Sequence, residues 1–175
     1  SNDYTALSDE CGATGSATVI FTATDDCNNT STTTATFTIE DTTDPSIDTE
    51  ASDLTLECDG ADHTVELNDW LNANGGAAAS DTCSGVTWSN DFTGLSNDCG
   101  NTSSATVTFT ATDDCGNSNS TTATFAIVDT TPPELIVPAD VTIECDVDPS
   151  PAGAGTATAT DNCDGTLVPT YSDSD

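Results

Sequence analysis

SATVTFTATDDCGNSNSTTATFAIVDTTPP, residues Ser104–Pro133, holds two runs, Ala105–Ala111 and Thr122–Val128, in which apolar side chains mostly alternate with threonine. A period of two places Val107, Phe109, Phe125 and Ile127 on one face and hydroxyls on the other, as half-buried antiparallel strands require. Asp113-Asp114-Cys115-Gly116-Asn117 supplies the turn between them. Asp129-Thr130-Thr131-Pro132-Pro133 makes a stiff exit, because each proline fixes its own φ and restricts the residue before it. The same pattern has already occurred at Ser16–Pro45 as SATVIFTATDDCNNTSTTTATFTIEDTTDP, so the chain is built from repeats.

The repeat sets the domain organisation. Cys11 and Cys99, Cys27 and Cys115, and Pro45 and Pro133 each lie 88 residues apart. Residues 1–44 read as the back half of one module, 45–132 as a complete module and 133–175 as the front half of the next. The expected fold class is all-β: tandem immunoglobulin-like antiparallel sandwich modules of about 88 residues. In the complete module Asp53–Cys58 (DLTLEC) is a first strand, restated at Asp140–Cys145 as DVTIEC. The segment HTVELNDWLNANGG, with Val65, Leu67, Trp70 and Leu71 at spacings of two to four, predicts a short helix over about 64–72. Thr64 is its candidate cap and Gly75 its stop. The next module replaces it with VDPSPAGAG and returns to strand at Thr156–Thr160. Strand Val86–Phe92 follows in the complete module. The chain starts within one repeat and stops within another, as an internal unit of a tandem array would.

Composition narrows the chemistry. The 175 residues carry 31 acids, no lysine or arginine and a formal charge of −31. Without a basic side chain other than His63 the chain cannot neutralise phosphate, which excludes nucleic acid and anionic lipid as partners. No run of 18 apolar residues suggests membrane insertion. Two readings of the charge stand: a solvated acidic surface, or carboxylates that call for an external cation, for which Ca2+ and its preference for oxygen ligands is the natural candidate. The acids gather where modules meet. The first such joint collects Asp41, Asp44, Asp81, Asp113 and Asp114, and the second Asp129, Asp161 and Asp164, although neither follows the EF-hand register. Catalysis has no expected site: His63 is single, no Ser/His/Asp set occurs, and the acids lie on repeated turns.

Cysteine spacing points to disulfides in an oxidising, extracellular setting rather than to a metal thiolate site. Strand direction selects a pairing. Cys58 ends the first strand and Cys83 ends the second, which in an antiparallel arrangement places them at opposite poles, and Cys99 and Cys115 lie a strand length apart, about 20 Å. A disulfide needs Cα atoms within about 7 Å. This predicts Cys58 with Cys99 and Cys83 with Cys115. Cys11 and Cys27 are then expected to pair upstream, and Cys145 and Cys163 downstream.

At ATDDCGN, VDTTPPELIVPADVTIEC and ATDNCDG the chain resembles the HYR-like immunoglobulin repeats of giant secreted surface proteins of Bacteroidetes, including gliding-motility and cell-surface adhesins. The resemblance covers essentially the whole chain and implies a stalk or filament at the cell surface. Asp41-Thr42-Thr43 and Asp129-Thr130-Thr131 also resemble the D-T-T form of the Bacteroidetes O-glycosylation motif, which implies Thr42 and Thr130 as acceptors. The expected function is a structural repeat, disulfide-stapled and calcium-stiffened. Its partners are neighbouring repeats, with lateral self-association into a filament. The alternative is an array whose modules themselves bind glycan, ice or a partner chain. The TxT runs suit an ice-binding surface, yet threonine is also what the polar face of a strand requires. An exposed aromatic cluster would favour binding, whereas Tyr4, Trp70, Trp88, Phe92 and Tyr171 are all expected to pack.

Overall fold

The computed structural model describes residues 1–140, 142, 144–146 and 155–170. The expected strand Asp140–Cys145, most of the Val147–Gly155 connection, and Tyr171 lie wholly or partly outside them. The fold is all-β and sandwich-like, with one short helix. In order the elements are β1 (Gly15–Thr24), β2 (Thr30–Ile39), β3 (Ser46–Thr49), β4 (Leu54–Glu57), α1 (Thr64–Asn72), β5 (Ala78–Ser80), β6 (Val86–Asn90), β7 (Ser103–Asp113), β8 (Ser118–Val128), β9 (Glu134–Ile136), β10 (Thr158–Asp161) and β11 (Gly165–Leu167). The complete module combines a four-stranded sheet, β4-β8-β7-β6, with a two-stranded sheet, β3-β5.

Alternation builds the core. Along β7, Val107, Phe109 and Ala111 are fully buried, and on β8 so is Phe125, with Ala123 nearly so. Threonine occupies the other face, where Thr106 and Thr124 share a hydroxyl hydrogen bond of 3.1 Å; Thr18 and Thr36 repeat it at 2.9 Å. These pairs explain the TxT runs as cross-strand contacts. The turns are likewise duplicated. Asp113 Oδ1 accepts the backbone N–H groups of Cys115 and Asn117, and Asp25 Oδ1 those of Cys27 and Asn29. Both turns need a left-handed residue, which is Gly116 (φ 90°) in one and Asn28 (φ 66°) in the other.

α1 forms where expected, but Thr64 is its first residue and not its cap, and Asp62 accepts from both the backbone N–H and the hydroxyl of Thr64. Leu67 and Trp70 are buried while Val65 is 66% exposed, so the apolar stripe is narrower than its spacing suggests. Trp70 meets Phe109 edge-on at 5.2 Å and donates from Nε1 to the Ser52 carbonyl at 2.9 Å. Gly75, at φ 65°, ends the helical region, and a Cβ there would lie 3.1 Å from the Phe109 ring.

One pairing departs from the antiparallel expectation. β4 runs parallel to β8, with Leu54 opposite Phe125 and Glu57 opposite Val128. No hairpin links these strands, and residues 58–117 lie between them in sequence, which leaves room for the crossover a parallel pair needs.

Packing groups the chain into two compact units: Ser1–Ser52 with Trp70–Phe92 and Val107–Ala123, and Asp53–Asp69 with Thr93–Thr106 and Thr124–Asp175. Each unit therefore holds the meeting point of two sequence repeats. In the first, β1 and β2 pair in register from Gly15↔Ile39 to Thr24↔Thr30. Phe21 and Phe37 stand 88 residues before Phe109 and Phe125, yet they are 45% and 60% exposed, and Tyr4, expected to pack, is 55% exposed. Trp70 and Gly75, from residues 45–92, pack against Phe109 of β7, and among the described residues no such segment covers Phe21 and Phe37.

Candidate functional site: two disulfide-closed acidic joints

In the first unit the loop before β1 lies against the loop between β5 and β6. Cys11 is bonded to Cys115, with Cα atoms 5.1 Å apart and a sequence separation of 104. Ala13 donates its N–H to the Cys83 carbonyl at 2.8 Å, and Asn117 Nδ2 donates to the Asp41 carbonyl at 3.1 Å. Asp81 Oδ1 accepts from the N–H groups of Cys83 (2.8 Å) and Ser84 (3.0 Å), a turn that its short side chain stabilises.

The second unit repeats the design. Cys58 is bonded to Cys163, Cα atoms 5.2 Å apart, with a sequence separation of 105. Asn101 Nδ2 donates to the Cys163 carbonyl and Asn162 Nδ2 to the Cys58 carbonyl, both at 2.5 Å. Asp161 Oδ1 accepts from the N–H groups of Cys163 (2.7 Å) and Asp164 (3.1 Å), as Asp81 does in the first unit.

These bonds correct the expected pairing. Cys58 does not meet Cys99, and Cys83 does not meet Cys115; Cys11 and Cys163 find partners within the chain, while Cys27, Cys83, Cys99 and Cys145 remain free thiols. Sorting cysteines by pole was sound, because Cys58 and Cys99 share one unit and Cys83 and Cys115 the other. What it omitted is that each pole meets the next repeat, whose cysteines are nearer than any within the same module.

The acids divide into those committed to turns and those that converge. Asp41, Asp81 and Cys83 each offer a ligand atom within 4.8 Å of the others, and so do Asp129, Asp161 and Asp164. Asp41 Oδ1 accepts the Thr43 N–H, but its Oδ2 is buried without a hydrogen-bond partner among the described residues. Asp44, Asp113 and Asp114 stand outside the first cluster. Asp44 is exposed, and Asp114 Oδ2 accepts the Gly85 N–H at 3.2 Å. Asp113 is buried within its own turn. Burial raises its pKa, but the side-chain and backbone bonds from Asn117, with those from Cys115 and Gly116, outweigh it and hold the carboxyl below its ordinary value.

Thr42 and Thr130, the expected acceptors, are both exposed. The Thr130 hydroxyl donates to Glu57 Oε2 at 2.9 Å, while Oε1 accepts the Thr130 N–H (2.8 Å) and the Thr131 hydroxyl (3.0 Å). Glu57 thereby anchors the exit strand to β4. Glu57 recurs as Glu144 in DLTLEC and DVTIEC, as Asn117 recurs 88 residues after Asn29, but recurrence alone does not say which backbone a side chain holds.

The Thr130 N–H, and then its hydroxyl, hold the Glu57 pKa below its usual value. A carboxyl lowered on folding contributes stability that is complete above its unfolded pKa, about 4.3, and lost as pH falls through the lower folded value. Glu57→Gln is therefore expected to lower Tm at pH 7, with the gap to the parent protein closing below about pH 4. Melting curves across this range check it, and a gap that persists unchanged at pH 2.5 would exclude a charge effect.

Two disulfides fit a chain that folds in an oxidising, non-cytoplasmic compartment, and among the described residues no helix is long and apolar enough to cross a membrane. No family model matches the chain, and no curated protein matches it.

Proposed function

We propose that this chain is a structural segment of an extracellular, cell-surface filament or adhesin stalk, in which immunoglobulin-like modules follow one another through covalently closed acidic joints. The observation that carries this reading is that one joint design occurs twice. An Asp-turn followed by cysteine is repeated at Asp81–Cys83 and Asp161–Cys163, each beside a linker aspartate, Asp41 or Asp129. A device that recurs with the repeat serves the array, whereas a ligand or catalytic site is ordinarily unique.

Exposed Tyr4, Phe21 and Phe37 favour the binding alternative at first sight. The repeat counterparts of Phe21 and Phe37, Phe109 and Phe125, are core residues, so the face that bears them is better understood as an uncovered core face than as a platform for glycan or ice. Labelling of native cells with gold-tagged antibody to this chain is expected to decorate surface fibres. Label confined to the cell interior would overturn the proposal.

Calcium stiffens the joints in this reading. Asp129, Asp161 and Asp164 supply the hard oxygen donors Ca2+ prefers, as do Asp41, with its unpartnered Oδ2, and Asp81; the Cys83 sulfur is too soft to contribute. Carboxylates about 4 Å apart repel by roughly 1 kcal/mol per pair in water, and a bound cation removes that repulsion. Calcium at a hundredfold excess over its Kd is expected to stabilise the protein by about 2.7 kcal/mol per site. Asp161→Asn should abolish the rise at the second joint. A melting temperature raised equally by sodium at matched ionic strength would reduce the acids to a solvated surface.

A further inference from the structure

His63 is the only histidine in the chain, and it belongs to a segment that the repeat does not restate: five residues past Cys58 stands His63, but five past Cys145 stands Ser150. A device that serves the array recurs with it, so a histidine confined to one module points to a ligand of its own. The backbone around it is fixed from both sides. Cys58, just after β4, is held by its bond to Cys163, and the His63 carbonyl accepts the Leu67 N–H at 3.1 Å to open α1. Leu67 is buried, which anchors that first turn.

The imidazole held there has an unmet need. Its side chain is only 11% exposed, and Nε2 is wholly buried without a hydrogen-bond partner among the described residues, although Asp59 Oδ1 lies 3.4 Å away. A buried nitrogen in that condition calls for an explanation, and an ion is one. Two donors, each about 2.0–2.1 Å from one tetrahedral Zn2+, stand about 3.4 Å apart, so the spacing is that of two ligands on a single metal. Asp59 is oriented for this by its own turn, since Oδ1 also accepts the Ala61 N–H at 2.9 Å. Across the ring, Glu66 Oε2 is 3.9 Å from Nδ1, the nitrogen that carries the proton when Nε2 takes a metal. A carboxylate on that side is the usual partner of a metal-bound histidine. Asp62 is already committed to the N–H and hydroxyl of Thr64. Beside the ring lies a cavity of about 310 Å³, lined by His63 with Cys58, Gly60, Asn101 and Ile127, all within the second compact unit.

We infer that Asp59 and His63 bind Zn2+ through Oδ1 and Nε2, with Glu66 as the residue that positions the imidazole. The cavity gives room for the waters that complete a four-coordinate shell. The ion ties the end of β4 to the first turn of α1, the element peculiar to this module. An imidazole nitrogen suits zinc, whereas Ca2+ takes oxygen ligands, so this site and the acidic joints select different metals. The inference goes beyond the structural role and rests neither on surface location nor on calcium.

The test uses the 175-residue protein with nitrogen-15 in its histidine, its thiols alkylated so that sulfur cannot compete, and excess calcium present to occupy other carboxylates. One histidine gives one pair of ring resonances, so a shift needs no assignment to a residue. At neutral pH one equivalent of ZnCl2 is expected to move the Nε2 resonance and to leave the proton on Nδ1, and calcium alone should move neither. In calorimetry His63→Gln should remove the one-equivalent step. Asp59→Asn should weaken zinc binding by roughly tenfold or more and Glu66→Gln by roughly tenfold. Ring resonances indifferent to zinc, a shift that reports binding at Nδ1, or zinc affinity unchanged in Asp59→Asn would overturn the inference. The spectrum of the parent protein decides the question even where a variant does not fold. Surface labelling would stand in any of these cases, so failure here is distinguishable from failure of the structural role.

Discussion

Cys11→Ser/Cys115→Ser is expected to destabilise the protein by roughly 4 kcal/mol, and Cys58→Ser/Cys163→Ser by a similar amount, because cross-links closing loops of 104 and 105 residues restrict the unfolded chain strongly. The effect is large against the 5–15 kcal/mol typical of a folded domain. It should appear in urea titrations as a lower midpoint, and in melting curves as a fall of roughly 10 °C or more. Both cysteines are replaced so that no stranded thiol can form a wrong bridge. The control is Cys27→Ser, which removes an exposed free thiol and should leave the stability of the monomer unchanged. Loss of less than about 1 kcal/mol from either double variant would mean that non-covalent contacts alone hold that joint. Loss from the control would mean that Cys27 has a partner inside the monomer.

The second large effect contrasts two phenylalanines that the repeat makes equivalent. Phe109→Ala removes a fully buried ring that Trp70 meets edge-on, and should destabilise by about 3–5 kcal/mol through lost transfer energy and the cavity left behind. Phe21→Ala removes a ring already 45% exposed, and should destabilise the monomer by less than about 1 kcal/mol. Equal losses at the two sites would show that β1–β2 is covered in the isolated protein, contrary to its exposure here.

Much of the fold was legible because its signals are local. Alternation between threonine and apolar residues marks β1, β2, β7 and β8, and the Asp-Asp-Cys turns follow from residues within five positions of one another. The 88-residue repeat announced the modules, and α1 began and ended within the expected range because a cap and a glycine stop are short-range features. Convergence of Asp129, Asp161 and Asp164 was anticipated from the direction of the strands that lead to them, as was that of Asp41 with Asp81. Asp113 was misassigned to the cluster because a sequence lists carboxylates without saying which are already saturated by their own turn.

The amino-acid sequence by itself determined strand periodicity, turn chemistry, the repeat, the acidic character and the pole of the module at which each cysteine lies. Only the tertiary structure decided which sulfur meets which, that β4 lies parallel to β8, that Glu57 holds the exit strand, and that Phe21 and Phe109 have opposite environments despite equivalent positions. The division has one physical cause. Hydrophobic period and turn preference act over a few residues and are written in consecutive letters. A disulfide across 104 residues, or a ring buried by a segment from another repeat, depends on which distant surfaces come into contact, and near-identical repeats offer the same letters to several partners. Cys58 could read Cys99 or Cys163 equally well; a Cα separation of 5.2 Å selects Cys163.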